Sequence, residues 1–413
     1  MTDITFNPMS EEFTQDPYPH YERMRHEAPI YYYADFDSWI FFNHGDVKSI
    51  LTDKRFTNDM SYWSMYQPTD PDVLPNIEYI NINSPFGGDQ ENLKHAHLSN
   101  RKMAVKVFSP SAVNSIRESV IETVYAQLES LKKCTVIDFA KDVAPNIPYA
   151  VITSMLGVPD IGNQQENFKR SCVLLADSFD PMLSPEQMKA CDIGAGEVLN
   201  ETRRLIKERQ LRPTQDIITD FVNALIEFPE LNEDHIAVTI AVLITAGARG
   251  TVMSTNMLVK TLFEHPEHMK QLRDNRELIP HAVIELLRFN HPARFLYRYA
   301  LQDLDYNNHG IKKGQAVMLP TASANRDEKI FPNAAKLDFL RSTKELQNSM
   351  VFGHGHHFCV GAHLARLQIE AVINGLFDIL PETAYIDSNT IEWDYNDFLA
   401  RNIHRMLIHT THV

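Results

Sequence analysis

Near the C-terminal end the chain reads FGHGHHFCVGAHLAR over residues 352–366, and Cys359 is the one side chain there suited to hold a metal through sulfur. It follows a loop containing Gly353 and Gly355 and precedes Gly361 and the helix-forming run His363-Leu364-Ala365-Arg366. Glycines admit backbone conformations closed to other residues and let the chain pass close to a flat ligand, and a helix N-terminus stabilises negative charge on sulfur. The spacing therefore suits presentation of one thiolate to a metal. His354, His356, His357 and His363 crowd the same stretch, so zinc or a merely structural loop is the competing reading.

Phe352, Gly353, Gly355, His357, Cys359 and Gly361 occupy all six fixed positions of the pattern F-G-x-G-x-H-x-C-x-G. The run resembles the heme-binding loop of the cytochrome P450 family. That resemblance implies heme b as cofactor, with the Cys359 thiolate as axial iron ligand favouring O–O cleavage. Three further segments are similar to the family in the same chain order. Glu285-Leu286-Leu287-Arg288 places an acid and a base one helical turn apart and resembles the family's K helix, whose pair is joined by a later arginine, here Arg341. His97 and Arg101, also on one helical face, resemble the C-helix pair that grips a heme propionate, and Arg298 resembles a second propionate partner. With His357, four basic side chains would then surround two anionic groups.

The long apolar stretch near residues 233–264 departs from the family. Members there usually show A-G-x-(Asp or Glu)-Thr, an acid and an alcohol that relay protons to bound oxygen. This chain reads Ala246-Gly247-Ala248-Arg249-Gly250-Thr251. An arginine stays charged and cannot cycle protons, so proton delivery falls to Thr251 through a shifted helix, to water in the space at Gly250, to a substrate hydroxyl, or to peroxide as the oxidant. Arg249 itself has two readings. Turned inward it would clamp an acidic substrate or a phenolate; turned outward it would only pair with an acid such as Asp177, Asp180 or Glu186.

By alignment with the family, weak substrate-facing candidates are Tyr62, Trp63, Tyr66, Tyr79 and Phe86, then Arg294, Phe295 and Leu296, then Phe398 and Leu399. The resemblance implies a monooxygenase that hydroxylates a small apolar or aromatic molecule, an anionic one if Arg249 faces inward, in specialised metabolism. Oxidative coupling of phenolic substrates and peroxide-dependent oxygenation are alternatives, and a heme sensor without turnover is a minor one. Arg101, Lys102 and Lys106 would form a basic patch that steers an acidic ferredoxin or flavodoxin.

These segments need a scaffold, and the resemblance extends over nearly the whole chain, from DPYPHYERMRHEAPI at residues 16–30 through RPTQDIITDF and ASANRD to FPNAAKLDFLR. It implies a single heme domain across residues 1–413: a mainly α fold with small β-sheets, triangular in outline, with heme between the distal I helix and the proximal Cys loop and L helix. Apolar periodicity predicts helices near 111–131, 196–210, 233–264, 266–273 and 278–289, and strands near 29–42 and 295–320. Cys134, Cys172 and Cys191 show no framework spacing and read as small core or surface residues in a reducing compartment. The start has neither a signal-like segment nor an 18-residue apolar run, which predicts a cytoplasmic protein without a membrane anchor. A net charge of −15 argues against non-specific nucleic-acid binding.

Overall fold

The computed structural model describes residues 4–67, 70–84, 94–159, 163–178, 183–395, 397 and 400–410, with the side chains of residues 94–97 outside the description. It is mainly helical. The organising element is the helix Glu233–Glu264, which begins at a reciprocal cap where the Asn232 side chain accepts from the His235 backbone and the His235 ring accepts from Asn232 N–H. Such a cap satisfies two of the backbone donors left open at a helix start. Ile236, Val238, Ile240 and Ile244 pack into the main core, whereas Leu258 and Leu262 enter a second cluster with Val283, Leu286 and Phe339. This helix is long and apolar enough to cross a membrane, yet 61% of its most apolar window is buried inside the protein. Its hydropathy belongs to a core helix packed on several sides.

Around it run the helices Asn146–Met155, Gln164–Asp177, Pro185–Leu211, Ile279–Phe289 and Ala362–Ile379. A five-stranded sheet, ordered Ile30–Tyr33, Ser38–Phe41, Ala316–Leu319, Leu296–Ala300, Phe56–Thr57, forms the second layer. Only the pairing of Ser38–Phe41 with Ala316–Leu319 is parallel. The aromatic cluster of Phe6, Phe13, Tyr21, Phe42 and Phe295 covers one face of that sheet.

Several boundaries differ from the periodicity reading. The helix predicted over 111–131 divides at Ile116, whose backbone leaves the helical region (φ −104°, ψ 8°), into Pro110–Ser115 and Arg117–Leu128 followed by a tight turn to Lys133. The helix predicted from 196 already begins at Pro185, because Ser184 and Gln187 form a capping box there. The helices 146–155 and 164–177 were not predicted; their buried faces are short and interrupted by polar residues. Strands fall where expected, at Ile30–Tyr33 and Ser38–Phe41 and in four short pieces between Leu296 and Leu319.

Candidate functional site

Cys359 is held by a compact loop. Gly353 and Gly355 both adopt φ +74°, a left-handed conformation that side chains with a Cβ rarely take. At Gly355 the demand is also steric, since a Cβ would lie 2.7 Å from Thr52 Cγ2. Cys359 N–H donates to Phe352 O at 2.9 Å and Phe358 N–H to Gly355 O at 3.0 Å, folding the loop back on itself. The helix Ala362–Ile379 starts directly behind it.

The sulfur sits in a recess. Cys359 is accessible to solvent, yet the protein around it pushes its thiol pKa up by burial. The Gly361 N–H and the Arg101 guanidinium oppose that shift by favouring the thiolate. Such a sulfur keeps its proton until a cation replaces it, which is the behaviour of a metal ligand.

A second recess opens on the long helix. Ala246 and Gly247 are exposed in the middle of an otherwise buried element. A Cβ on Gly250 would meet no atom within 4 Å. The Thr251 hydroxyl donates to Gly247 O at 2.7 Å, one position beyond where the sequence pattern would put an alcohol. The long helix contacts the helix following Cys359, so the two recesses belong to one region of the fold.

Glu285, Arg288 and Arg341 meet in the core behind the loop. Glu285 takes Arg288 Nε at 2.6 Å and Nη2 at 2.8 Å, and Arg341 Nε at 3.3 Å. The first two side chains have no exposure and the Arg341 side chain has 3%. Arg288 Nη1 donates to Asn325 O and Ala334 O, both at 2.9 Å, and Asn325 Oδ1 accepts from Met350 N–H at 2.7 Å. The cluster thus fixes residues 325–341 and, through Asn325, the entry to the cysteine loop.

The remaining candidates are dispersed. Arg101 is half-buried and donates to Phe358 O at 2.6 Å, beside the sulfur. Arg298 is buried in the strand Leu296–Ala300 and donates to Tyr297 O at 2.8 Å. His357 lies in the turn Gly355–His357. His97 belongs to the helix Lys94–Val107, but its side chain lies outside the described residues, as do Phe86, Asp180, Phe398 and Leu399. Leu296 lines the back of the cysteine loop, its Cδ1 3.9 Å from where a Gly353 Cβ would stand. Trp63 packs 6.3 Å from the Tyr299 ring, Tyr62 is exposed and Tyr66 is half-buried. Tyr79 lies under the Arg203 guanidinium.

Four expectations change. Phe295 belongs to the aromatic sheet core at 4% exposure, and Arg294 is fully buried, donating to Pro8 O, Thr14 Oγ1 and Ala400 O. Both hold the N-terminal segment rather than face a ligand. Arg249 forms an ion pair with Asp397 at 2.8 Å, a partner the sequence reading does not name. Lys102 and Lys106 are both exposed, but the Lys106 ammonium pairs with Glu227 and Arg101 is turned to the cysteine loop, so the expected patch carries less net positive charge than the sequence suggests.

The donor set fits an iron porphyrin better than zinc. Among the described residues no three His, Cys, Asp or Glu side chains converge on one point. His363 accepts from Arg366 at 2.7 Å instead of turning to the sulfur. One thiolate in a recess, open space at Gly250 and Gly361, and cations nearby match a flat, anionic, singly ligated group. Asp397 and Asn325 are the site residues that sequence reasoning missed. Asn325 stood in a segment already noted for family resemblance; Asp397 had no local pattern around it.

A family model described as cytochrome P450 matches residues 92–377. The chain is 29% identical over 394 residues to a biotin biosynthesis cytochrome P450 of Bacillus subtilis, covering 95% of each. It is 28% identical to the epothilone C/D epoxidase of Sorangium cellulosum over 91% of this chain and 89% of that one. Among solved structures, epothilone D-bound cytochrome P450epoK superposes with a TM-score of 0.87 at 26% identity, covering 99% of this chain and 100% of that one. P450BioI bound to a fatty-acyl carrier protein gives 0.83 at 27% identity, over 97% of this chain and all of the other.

Proposed function

This chain belongs to the cytochrome P450 family, monooxygenases dependent on heme and a redox partner, and on that premise we propose that it hydroxylates a small apolar or aromatic molecule. Bound heme supplies the iron at which O2 is activated. Cys359 would be its sulfur ligand, with Gly361 N–H and Arg101 stabilising the negative sulfur. Arg101, Arg298, His357 and His97 would hold the propionates. Phe352, Gly353 and Gly361 would let the loop approach the ring face.

On the distal side, Gly250 leaves room for ligand and water, and Ala246 and Gly247 form an apolar floor. Arg249 stays charged and paired, so it does not transfer protons. The Thr251 hydroxyl already donates its proton to Gly247 O, which leaves its lone pairs to accept from a water and orient it. An acidic ferredoxin or flavodoxin would deliver electrons at the cysteine side, and the protein would work in the cytoplasm. The exposed Ala246 and Gly247 and the open space at Gly250 support an apolar ligand.

The observation that carries this reading is the recessed Cys359 sulfur with its opposing N–H and guanidinium. Reduced, carbon-monoxide-treated protein should show the red-shifted Soret band of thiolate-ligated heme. Cys359→Ser should lose that band; its retention would overturn the assignment.

A further inference from the structure

The helix Pro75–Asn83 has its N-terminal cap supplied by another element. Leu74, at the capping position, makes no side-chain cap. Pro75 has no N–H, and Glu78 N–H bonds Leu74 O at 3.0 Å, so Asn76 and Ile77 carry the two donors left open in the first turn. Both go to Asp192 Oδ1, at 2.8 and 2.9 Å, while Asp192 Oδ2 accepts from the Asn76 side chain at 2.8 Å. Asp192 is 6% exposed and belongs to the helix Pro185–Leu211. One turn further on, Gly196 leaves the Asn76 side chain its room, since a Cβ there would lie 3.0 Å from the amide. Further along the same helix, the Arg203 guanidinium covers the Tyr79 ring and donates to Asp234, in the first turn of the long helix, at 2.8 Å. Asp192, Gly196 and Arg203 recur at helical spacing, so one face of Pro185–Leu211 is shaped to receive the short helix. Ile77 and Ile80 are buried in the main core, and the short helix also packs on the long helix that carries the distal recess.

A helix of nine residues is marginal by itself, and this one takes its cap from the surface it docks on. Undocking would strip the cap and melting would strip the contact, while a carboxylate at the positive end of the helix favours the docked form. We infer that Pro75–Asn83 and its seat form one two-state strap latched by Asp192, whose release opens a path for bulky ligands to the distal side. The ligand path rests on the reading of the distal recess as part of a heme-thiolate pocket and deepens it; the latch stands without it.

Asp192→Asn keeps the shape and one acceptor oxygen and removes the charge, whereas Asp192→Ala removes the cap. Hydrogen exchange of the amides of residues 78–83 reports the latch, because these amides bond within the helix and not to Asp192. Exchange there should quicken about 10-fold in Asp192→Asn and further in Asp192→Ala, the scale of weakened charge-assisted bonds, while the amides of Ile279–Phe289 keep their rates. Should Asp192→Ala not fold, Asp192→Asn decides alone. In heme-loaded protein, stopped-flow binding of imidazole and of its bulky chlorotrityl derivative, clotrimazole, reports the path. The clotrimazole-to-imidazole ratio of association rates should rise by the same factor as the exchange.

Exchange at 78–83 within about twofold of wild type in Asp192→Asn, or quickened equally in Ile279–Phe289, overturns the latch. A ratio of association rates within about twofold of wild type overturns the path. The exchange measurement does not depend on iron ligation, and failure of the heme reading itself would remove the carbon-monoxide band from wild type, which keeps the two failures apart.

Discussion

Replacing Glu285 with Gln keeps the shape of a fully buried acceptor and removes the carboxylate that lies between two buried guanidiniums. Arg288 would retain its backbone acceptors at Asn325, Ala334 and Lys336, and Arg341 those at Pro332 and Asn333. Arg341 would also keep the partly exposed Glu345 at 3.4 Å, whereas Arg288 would lose the carboxylate that pairs with it. Breaking such a pair by removing one partner costs about 3–5 kcal/mol, since the uncompensated charge stays out of water. For a chain of 413 residues the unfolding entropy is about 0.9 kcal/mol per degree, so the melting temperature should fall by about 4–6 °C. The assay is thermal unfolding followed by far-ultraviolet circular dichroism, beside Glu392→Gln as control. Glu392 pairs with Arg405 at 2.8 Å, but both side chains are about half exposed, 54% and 46%. Such a surface pair contributes about 0–1 kcal/mol, so the control should shift by about 1 °C or less. Because Asn325 ties this cluster to Met350, Glu285→Gln should also weaken the carbon-monoxide band before global unfolding. Equal shifts for the two variants would refute the argument that burial gives the cluster its weight.

Two other outcomes follow from single positions. His291 is buried beside Arg401, and burial pushes its pKa down to about 4. The folded protein therefore keeps His291 neutral while the unfolded chain takes up a proton below pH 6.5, so its contribution is complete above that pH and is lost as pH falls toward 4. The loss amounts to about 3 kcal/mol. His291→Asn should show a pH–stability curve shallower by one proton over that window in urea unfolding, and parallel curves would reject the assignment. Gly250→Ala adds a methyl that meets no atom within 4 Å in the middle of a helix. It should raise stability by about 0.5–1 kcal/mol while weakening binding of bulky ligands in optical titrations; a loss of stability would show that the space at Gly250 is not free.

Much of the scaffold could be read from sequence because its signals are local. The helix over 233–264 announces itself by an unbroken apolar period behind Asn232, and FDSWIFFN marks a strand through alternation and β-forming residues. The split at Ile116 and the early start at Pro185 were hidden, since a one-residue change of backbone angle or a capping side chain alters a boundary without disturbing the apolar period. The substrate candidates fared unevenly for a related reason. Phe295 and Leu296 are adjacent in sequence, yet one enters the aromatic sheet core and the other backs the cysteine loop. Consecutive residues entering a strand turn to different sides, and residue type alone does not say which side meets a ligand.

The sequence by itself determined the family and singled out Cys359 as the candidate ligand, because such a loop is built from consecutive residues whose types and spacing are its chemistry. Only the tertiary structure decided what Arg249 does. Asp397, an acid it pairs with, stands 148 residues away near the C-terminus, and an ion pair depends on the distance between charges in space, which chain separation does not encode.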